Sequence, residues 1–349
     1  MIRRGTILFL ALGHGLNDLL AGYFLGRMVN TQQDLLQAGL ALLVYNVLAF
    51  GGQYPVALWL EKYPHPRHFL LAAGGLNVLA AASFAFVPSL SVVAMGAASA
   101  LYHVAGGTVC AADKKAANIG FFAAPGVAGL ILGGYLAFDH YMITLPLLAV
   151  TVIFLALLWM QKLPESGADL NGTDRPSLMP DRHDLVMILL LTVISLRSAV
   201  WNIFQLIHEQ EYDWLLAIAG AAFTGKILGG WLADRVGWRL YMFASLIAAT
   251  PLVTFFRNEL LLFCIGIGLL QSGIPATTAL LIRSVDGKTG RGISLSFGVA
   301  IIAGAAVFCL PGTFYNAGGN QLIGLVSALL ALIILFMYFS GAKGKEPAP

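Results

Sequence analysis

Twelve apolar runs of about 20 residues leave this chain few folds to choose from. Runs of that length match the roughly 30 Å of hydrocarbon in a bilayer. They fall near residues 5–25, 34–60, 68–87, 89–112, 116–138, 141–161, 184–207, 212–234, 238–256, 259–282, 292–311 and 322–340. With 58% hydrophobic residues, 11% charged residues and a mean hydropathy of +0.81, little sequence remains for a water-soluble domain. The expected fold class is an all-α polytopic membrane protein of twelve transmembrane helices.

Positive charge alternates along the loops. Of 20 Lys and Arg residues, 16 lie before the first run or on every second loop, at Arg3/Arg4, Lys62/Arg67, Lys114/Lys115, Lys162/Arg175/Arg182, Arg235/Arg239, Arg283/Lys288/Arg291 and Lys343/Lys345, and the intervening loops carry Arg27 and Arg257. The positive-inside rule then places both termini in the cytoplasm, with the chain multi-pass in the cell inner membrane. The net charge of +3 reads as this topology signal and not as a nucleic-acid footprint. The N-terminal MIRRGTILFLAL imitates a signal peptide, but the run continues through His14, Asn17 and Asp18 without a small-residue cleavage site, so it is expected to be a retained span. Cys110, Cys264 and Cys309 have no CxxC spacing, which argues against a disulfide framework or a structural zinc site.

The longest polar stretch, Gln161 to Asp184, carries three prolines and several acids and reads as a linker. It divides the chain into residues 1–162, a cytoplasmic linker 163–183, and residues 184–349, with six spans on each side. The halves echo one another at an offset near 173 residues: the segment from Ala57 to Glu61-Lys62 faces that from Gly230 to Asp234-Arg235. Glycines cluster within spans at Gly126, Gly129, Gly133 and Gly134 and at Gly225, Gly229 and Gly230, spacings that let helices approach closely.

Gly230-x3-Asp234-Arg235-x-Gly237-x-Arg239 resembles the loop signature of the major facilitator superfamily, with acid, basic residues and glycines in register. The resemblance implies two pseudo-symmetric six-helix bundles, a substrate site near the bilayer midplane, and a gating loop in which a carboxylate is held against Arg at a helix end. Glu61 and Lys62 are the first-half counterparts. Gly13-His14-x2-Asn17-Asp18-x3-Gly22, Pro55-x5-Glu61-Lys62-x-Pro64-x-Pro66 and Ala100-Leu-Tyr-His103 are similar to the fosmidomycin-resistance group of exporters. Two positions depart from the expected patterns: Val-Ala-Gly-Gly follows His103 where that group tends to carry Pro and an acid, and Gly134 stands where an antiporter-type motif places Pro.

Charge inside a span is costly and usually functional. Asp18 is the acid nearest the middle of any run, and His14 shares its helix face at i,i+4. His103 sits at similar depth in the fourth run, and histidine titrates in the physiological range. These three are the candidate proton-coupling residues. A lone histidine such as His103 can equally be a hydrogen-bonded packing residue. Arg197 lies mid-run in the seventh span, followed at helical spacing by Trp201 and Gln205, and a guanidinium suits carboxylate, phosphate or phosphonate. With Asn17, Tyr45, Asn46 and Tyr102 these form the candidate substrate-binding set. An ion pair from Arg197 to Asp18 is the competing role.

The expected function is secondary active transport by alternating access, with proton-coupled export of a small anionic, zwitterionic or amphipathic solute. Uptake by symport or facilitated diffusion is the alternative, and a metal-ion carrier on His14, Asp18 and His103 is a further one. HExxH, GxSxG and Walker-type motifs are absent from the sequence, so an enzyme is not expected. The expected partners are a small-molecule substrate, protons and the lipid bilayer, with no nucleic acid, no cofactor, no resident metal and a monomeric chain.

Overall fold

The computed structural model describes residues 2–31, 35–138, 143–164, 180–207, 212–256, 258–285 and 288–305, together with 324, 327–331 and 334. Among the described residues the regular structure is entirely helical. In chain order the helices are α1 (Arg4–Thr31), α2 (Leu35–Asn46), α3 (Gln53–Lys62), α4 (Pro66–Ser83), α5 (Pro88–Ala111), α6 (Ala116–Phe138) and α7 (Thr144–Met160). They continue as α8 (Pro180–Ile207), α9 (Tyr212–Val236), α10 (Trp238–Phe255), α11 (Leu260–Ser272), α12 (Ile274–Ser284), α13 (Thr289–Ser294) and α14 (Ala300–Gly304).

Local chemistry sets the boundaries. Pro66 and Pro88 open α4 and α5, where a fixed φ and a missing N–H cost nothing. A π-helical segment, Val47–Gly51, joins α2 to α3 within one span, and a second, Leu295–Val299, joins α13 to α14. Gly273, followed by Pro275 in the first turn of α12, interrupts the span made by α11 and α12. Between α9 and α10 the chain turns at Gly237, whose φ of +94° is a conformation that side-chain-bearing residues rarely adopt. This explains the second glycine of the loop signature.

Among the described residues eight helical stretches are long and apolar enough to cross a membrane, and Thr144–Met160 and Thr289–Gly304 are shorter apolar helices. Eleven of the twelve runs expected from sequence coincide with helices. The twelfth, 322–340, is described only at 324, 327–331 and 334, all helical, and residues 165–179 of the expected linker lie outside the described residues. Large apolar side chains such as Leu145, Phe255 and Trp159 are mostly exposed. Such exposure is a liability in water but is ordinary on a surface solvated by lipid.

The chain forms two compact units. Unit 1 is Met1–Asp113, Phe122–Gly172 and Thr289–Val299; unit 2 is Lys114–Phe121, Thr173–Lys288 and Ala300–Pro349. Each unit thus takes in a short segment from across the linker. In unit 1, α5 is buried from Ser91 to Ala111 along most of its faces and packs against α1, α3, α4 and α13. α6 comes so close to α1 that a Cβ on Gly133 would overlap the backbone of Leu19 and Tyr23. In unit 2, α11 packs along α9 and α10, while α8 packs against α12 and α14.

Candidate functional site

His14 and Asp18, one turn apart on α1, meet His103 of α5 inside unit 1, and all three are buried. His14 Nδ1 lies 2.7 Å from the Phe122 carbonyl, and His103 Nδ1 lies 2.7 Å from the Ser99 carbonyl. A carbonyl oxygen only accepts, so His14 Nδ1 donates, whereas His103 Nδ1 also lies 3.1 Å from the Ser99 hydroxyl, which can donate to it or accept from it. The two Nε2 atoms face each other at 2.9 Å. With a lone pair on each they would repel; a hydrogen bond at that distance needs one proton between them. One proton therefore lies between the two Nε2 atoms: it belongs to a neutral His103 when the Ser99 hydroxyl donates to Nδ1, and is an additional proton when Nδ1 donates to the Ser99 carbonyl. Asp18 Oδ2 lies 3.2 Å from His14 Nε2 and 3.8 Å from His103 Nε2, close enough to balance a proton held by either ring.

The rest of the cluster fixes that arrangement. Asn17 donates to Asp18 Oδ1 at 2.9 Å, and Asn77 of α4 donates to Asn17 Oδ1 at 2.9 Å. The His14 ring stacks on Phe122 with centroids 4.5 Å apart. Gly126 of α6 leaves the room the cluster needs: a Cβ there would lie 2.5 Å from His14 Nε2 and 2.6 Å from Asp18 Oδ2. A charged group in hydrocarbon is tolerable when paired and hydrogen-bonded, and here every charged atom has a partner. The Nε2 and Oδ2 atoms lie within 4.8 Å of one another, so the same donors satisfy the distance requirement for a cation. A tetrahedral zinc-type site with bonds of about 2.0–2.1 Å would hold the two nitrogens about 3.4 Å apart, wider than the spacing found here.

Arg197 of α8, in unit 2, is also fully buried, at 0% exposure. Its Nη1 donates to the Thr277 hydroxyl at 3.2 Å, and Thr277 donates in turn to the Gly273 carbonyl at 2.7 Å. Its Nε and Nη2 have no hydrogen-bond partner among the described residues. The guanidinium rests on the break between α11 and α12, where a Cβ on Gly273 would come within 2.5 Å of Nη2.

The remaining expected residues divide. Tyr45 is buried and shares a hydrogen bond with Ser99, beside His103. Tyr102 is buried and donates to the Leu10 carbonyl at 3.0 Å, so its hydroxyl braces α5 against α1. Asn46 returns its amide to Leu42 at 2.8 Å on its own helix. Trp201 is half-buried on α8, and the side chain of Gln205 lies outside the described residues.

At the signature loop Asp234 accepts the backbone N–H groups of Ala116 and Ala117, both at 2.9 Å, and the Trp238 indole N–H at 2.7 Å. The sequence suggests a carboxylate held against Arg; in the structure this carboxylate caps the N-terminus of α6, where unsatisfied amides and the helix dipole favour negative charge. Arg235 instead lies over the Trp231 ring at 3.7 Å. Gly230 permits the approach, since a Cβ there would lie 2.9 Å from Ala117 Cα. Arg239 is half-buried on α10. In unit 1 the counterpart Glu61 receives a two-pronged bond from Arg291, Nε to Oε1 and Nη2 to Oε2, both at 2.8 Å. Lys62 lies 5.5 Å from the Tyr63 ring.

Sequence reasoning missed Asn77, Ser99, the Phe122 carbonyl, Gly126, Thr277 and Gly273 as parts of these sites. Asn77 had a signal, an amide in an apolar run. The backbone acceptors had none.

No family model matches the chain. It is 26% identical to a Bacillus subtilis (strain 168) protein named uncharacterized MFS-type transporter YfnC, over 389 aligned positions covering 97% of this chain and 94% of that protein. Among solved structures it is similar to two of the Escherichia coli transporter FucP. One is described as a fucose:proton symporter, with a TM-score of 0.71 at 16% identity over 96% of this chain and 98% of that one. The other is in an outward conformation, with a TM-score of 0.71 at 18% identity over 96% of each chain. The fold is that of the major facilitator transporters. The human organic anion transporter MFSD10 shares this fold at a TM-score of 0.68, with 13% identity over 97% of this chain and 100% of that one. Within a major facilitator fold the helices carrying His14, Asp18 and His103 are the first and fourth spans, and Arg197 lies on the seventh.

Proposed function

We propose that this protein is a secondary transporter of the major facilitator superfamily that works by alternating access, coupling proton movement to export of a small anionic, zwitterionic or amphipathic solute. The observation that carries the reading is the buried His14–His103 pair, which shares one proton against the Asp18 carboxylate. When an additional proton held there leaves, unit 1 retains an uncompensated negative charge. Unit 2 holds the positive charge of Arg197 with two nitrogens unspent among the described residues. Both conditions are expensive in hydrocarbon, so reloading a proton and binding an anion each relieve a defined cost. Ligands that bind conformers unequally shift their populations by that difference.

The Asp234 cap on α6 and the Glu61–Arg291 pair act as the breakable contacts of the cycle. The charge alternation of the loops puts both on the cytoplasmic side, in a monomer of the inner membrane with cytoplasmic termini. The likeness to fosmidomycin-resistance exporters supports export. Uptake by symport is the second reading, and the fold shared with a fucose:proton symporter favours it.

The test uses the full chain in proteoliposomes containing a trapped pH-sensitive dye, challenged with carboxylates, phosphonates and zwitterions under an imposed pH gradient of either sign. Antiport predicts solute and proton movement in opposite directions, and symport predicts the same direction. Solute flux indifferent to the gradient and to Asp18→Asn would overturn proton coupling.

A further inference from the structure

Two arginines in this chain present the same pair of atoms in different circumstances. Arg291 uses Nε and Nη2, the two nitrogens along one edge of the guanidinium plane, to hold both carboxylate oxygens of Glu61 at 2.8 Å. Arg197 offers that same edge, and among the described residues nothing accepts from it. The other edge is occupied, because Nη1 donates to Thr277, which Gly273 holds through its carbonyl. The plane is also backed by Gly273, where even a methyl group would touch Nη2. A long, flexible side chain is thereby fixed with one edge committed and one edge open.

We infer that the Nε/Nη2 edge of Arg197 is a fork that reads the carboxylate of the transported solute, with Thr277 and Gly273 as the positioning residues. This rests on the transport reading above and narrows its substrate class. Guanidinium edges bind carboxylate, phosphate and phosphonate in two-pronged fashion, and charge decides among them. Arg197 brings one positive charge, and the group it bonds, the Thr277 hydroxyl, is neutral. One buried positive charge balances one negative charge, whereas a dianionic head would leave a net negative charge buried. A monoanionic group with two coplanar oxygens, a carboxylate, satisfies both the geometry and the charge. Prior fixation of the fork lowers the ordering cost of binding. The guanidinium is closed off from solvent in this structure, so the solute reaches it as the surrounding helices part, as an alternating-access cycle requires.

The experiment compares benzoate with phenylphosphonate as its dianion, identical rings with different heads, by thermal shift of the full chain in detergent. Benzoate is expected to raise the melting temperature of the parent protein, with phenylphosphonate at least about tenfold weaker. Arg197→Lys keeps the charge but loses the planar fork and is expected to weaken benzoate by about tenfold or more. Thr277→Val, which frees Nη1 without touching the charge, provides a milder variant and is expected to weaken benzoate less than Arg197→Lys. Three results would overturn the fork: no benzoate shift in the parent, phenylphosphonate binding as tightly as benzoate, or Arg197→Lys binding benzoate within about twofold of the parent. If proton-driven flux persists while these fail, the fork alone is wrong. If benzoate binding follows Arg197 and proton-driven flux is absent, the transport reading falls and the fork stands.

Discussion

Unit 1 buries the cluster of His14, Asp18 and His103 with a partner for each, whereas unit 2 buries Arg197 and, among the described residues, leaves two of its three nitrogens without one. The contrast separates two uses of charge in hydrocarbon. In unit 1 the partners include the Phe122 and Ser99 carbonyls and the Asn77 side-chain amide, which would hold the cluster in place if a proton came and went. That is how a group can change protonation without losing its geometry. In unit 2 the partner missing among the described residues is a cost that a bound anion would relieve. A satisfied network stores a position; an unsatisfied one stores an affinity.

The largest effect that tests this contrast is expected from Asp18→Asn. Removing one partner of a buried ion pair leaves the other uncompensated, a loss of about 3–5 kcal/mol. Chemical unfolding in detergent should show it, along with loss of the flux component driven by a pH gradient. A stability unchanged within about 0.5 kcal/mol would mean that the additional proton is absent from the cluster.

Next in size, and opposite in sign, is Arg197→Met. Replacing an unsatisfied buried charge by an apolar side chain of similar length should stabilise the empty protein by about 1–4 kcal/mol, read as a higher melting temperature, while anion-evoked transport is lost. If this variant melts lower than the parent, Arg197 has a structural partner and the two units do not differ in the way described.

Gly126→Ala sharpens the same comparison from the side of packing. The added carbon would lie 2.5 Å from the His14 ring and 2.6 Å from Asp18 Oδ2 and press on both. Overpacking of this kind costs roughly 1–3 kcal/mol. Because no charge is removed, the His14–His103 contact is displaced but not neutralised. Proton-driven flux should fall while thermal stabilisation by benzoate at Arg197 is retained.

How far these sites were legible in the sequence follows from what each signal encodes. The spans could be read because an apolar run of about 20 residues is a local property, and the His14–Asp18 pair because i,i+4 neighbours share a helix face. His103 could be matched to them by depth alone. Partners contributed by distant helices, such as Asn77, the Phe122 carbonyl and Gly126, have no spacing rule linking them to Asp18. Gly230 and Gly237 were visible as a motif, but their reasons, a close approach to α6 and a positive φ, are three-dimensional. The offset of 173 residues that aligns Glu61 with Asp234 also aligns Ala116 with Thr289, so the echo carried more than it first showed. Each acid meets the start of a helix from across the linker, α13 for Glu61 and α6 for Asp234. The chemistry differs because Arg291 stands in the first turn of α13, while α6 begins Ala116-Ala117 and offers only backbone amides.

The smallest effects test that difference. Asp234→Asn keeps one acceptor oxygen but turns the other, which accepts from an α6 amide, into a donor, and is expected to cost about 0.5–1 kcal/mol. Glu61→Gln breaks an ion pair whose side chains are about one-third exposed, at 33% and 30%, and exposed pairs contribute roughly 0.2–1 kcal/mol. Salt separates the two cases. Raising the ionic strength from about 0.1 M to about 1 M shortens the screening length from roughly 10 Å to 3 Å. The added salt should erase much of the stability difference between the parent and Glu61→Gln, because the pair is partly solvated. The Asp234 cap consists of short hydrogen bonds to backbone amides and an indole, so the Asp234→Asn difference should persist across the same range. If both differences vanish together in salt, the two acids act through charge alone and the hydrogen bonds to α6 contribute nothing of their own.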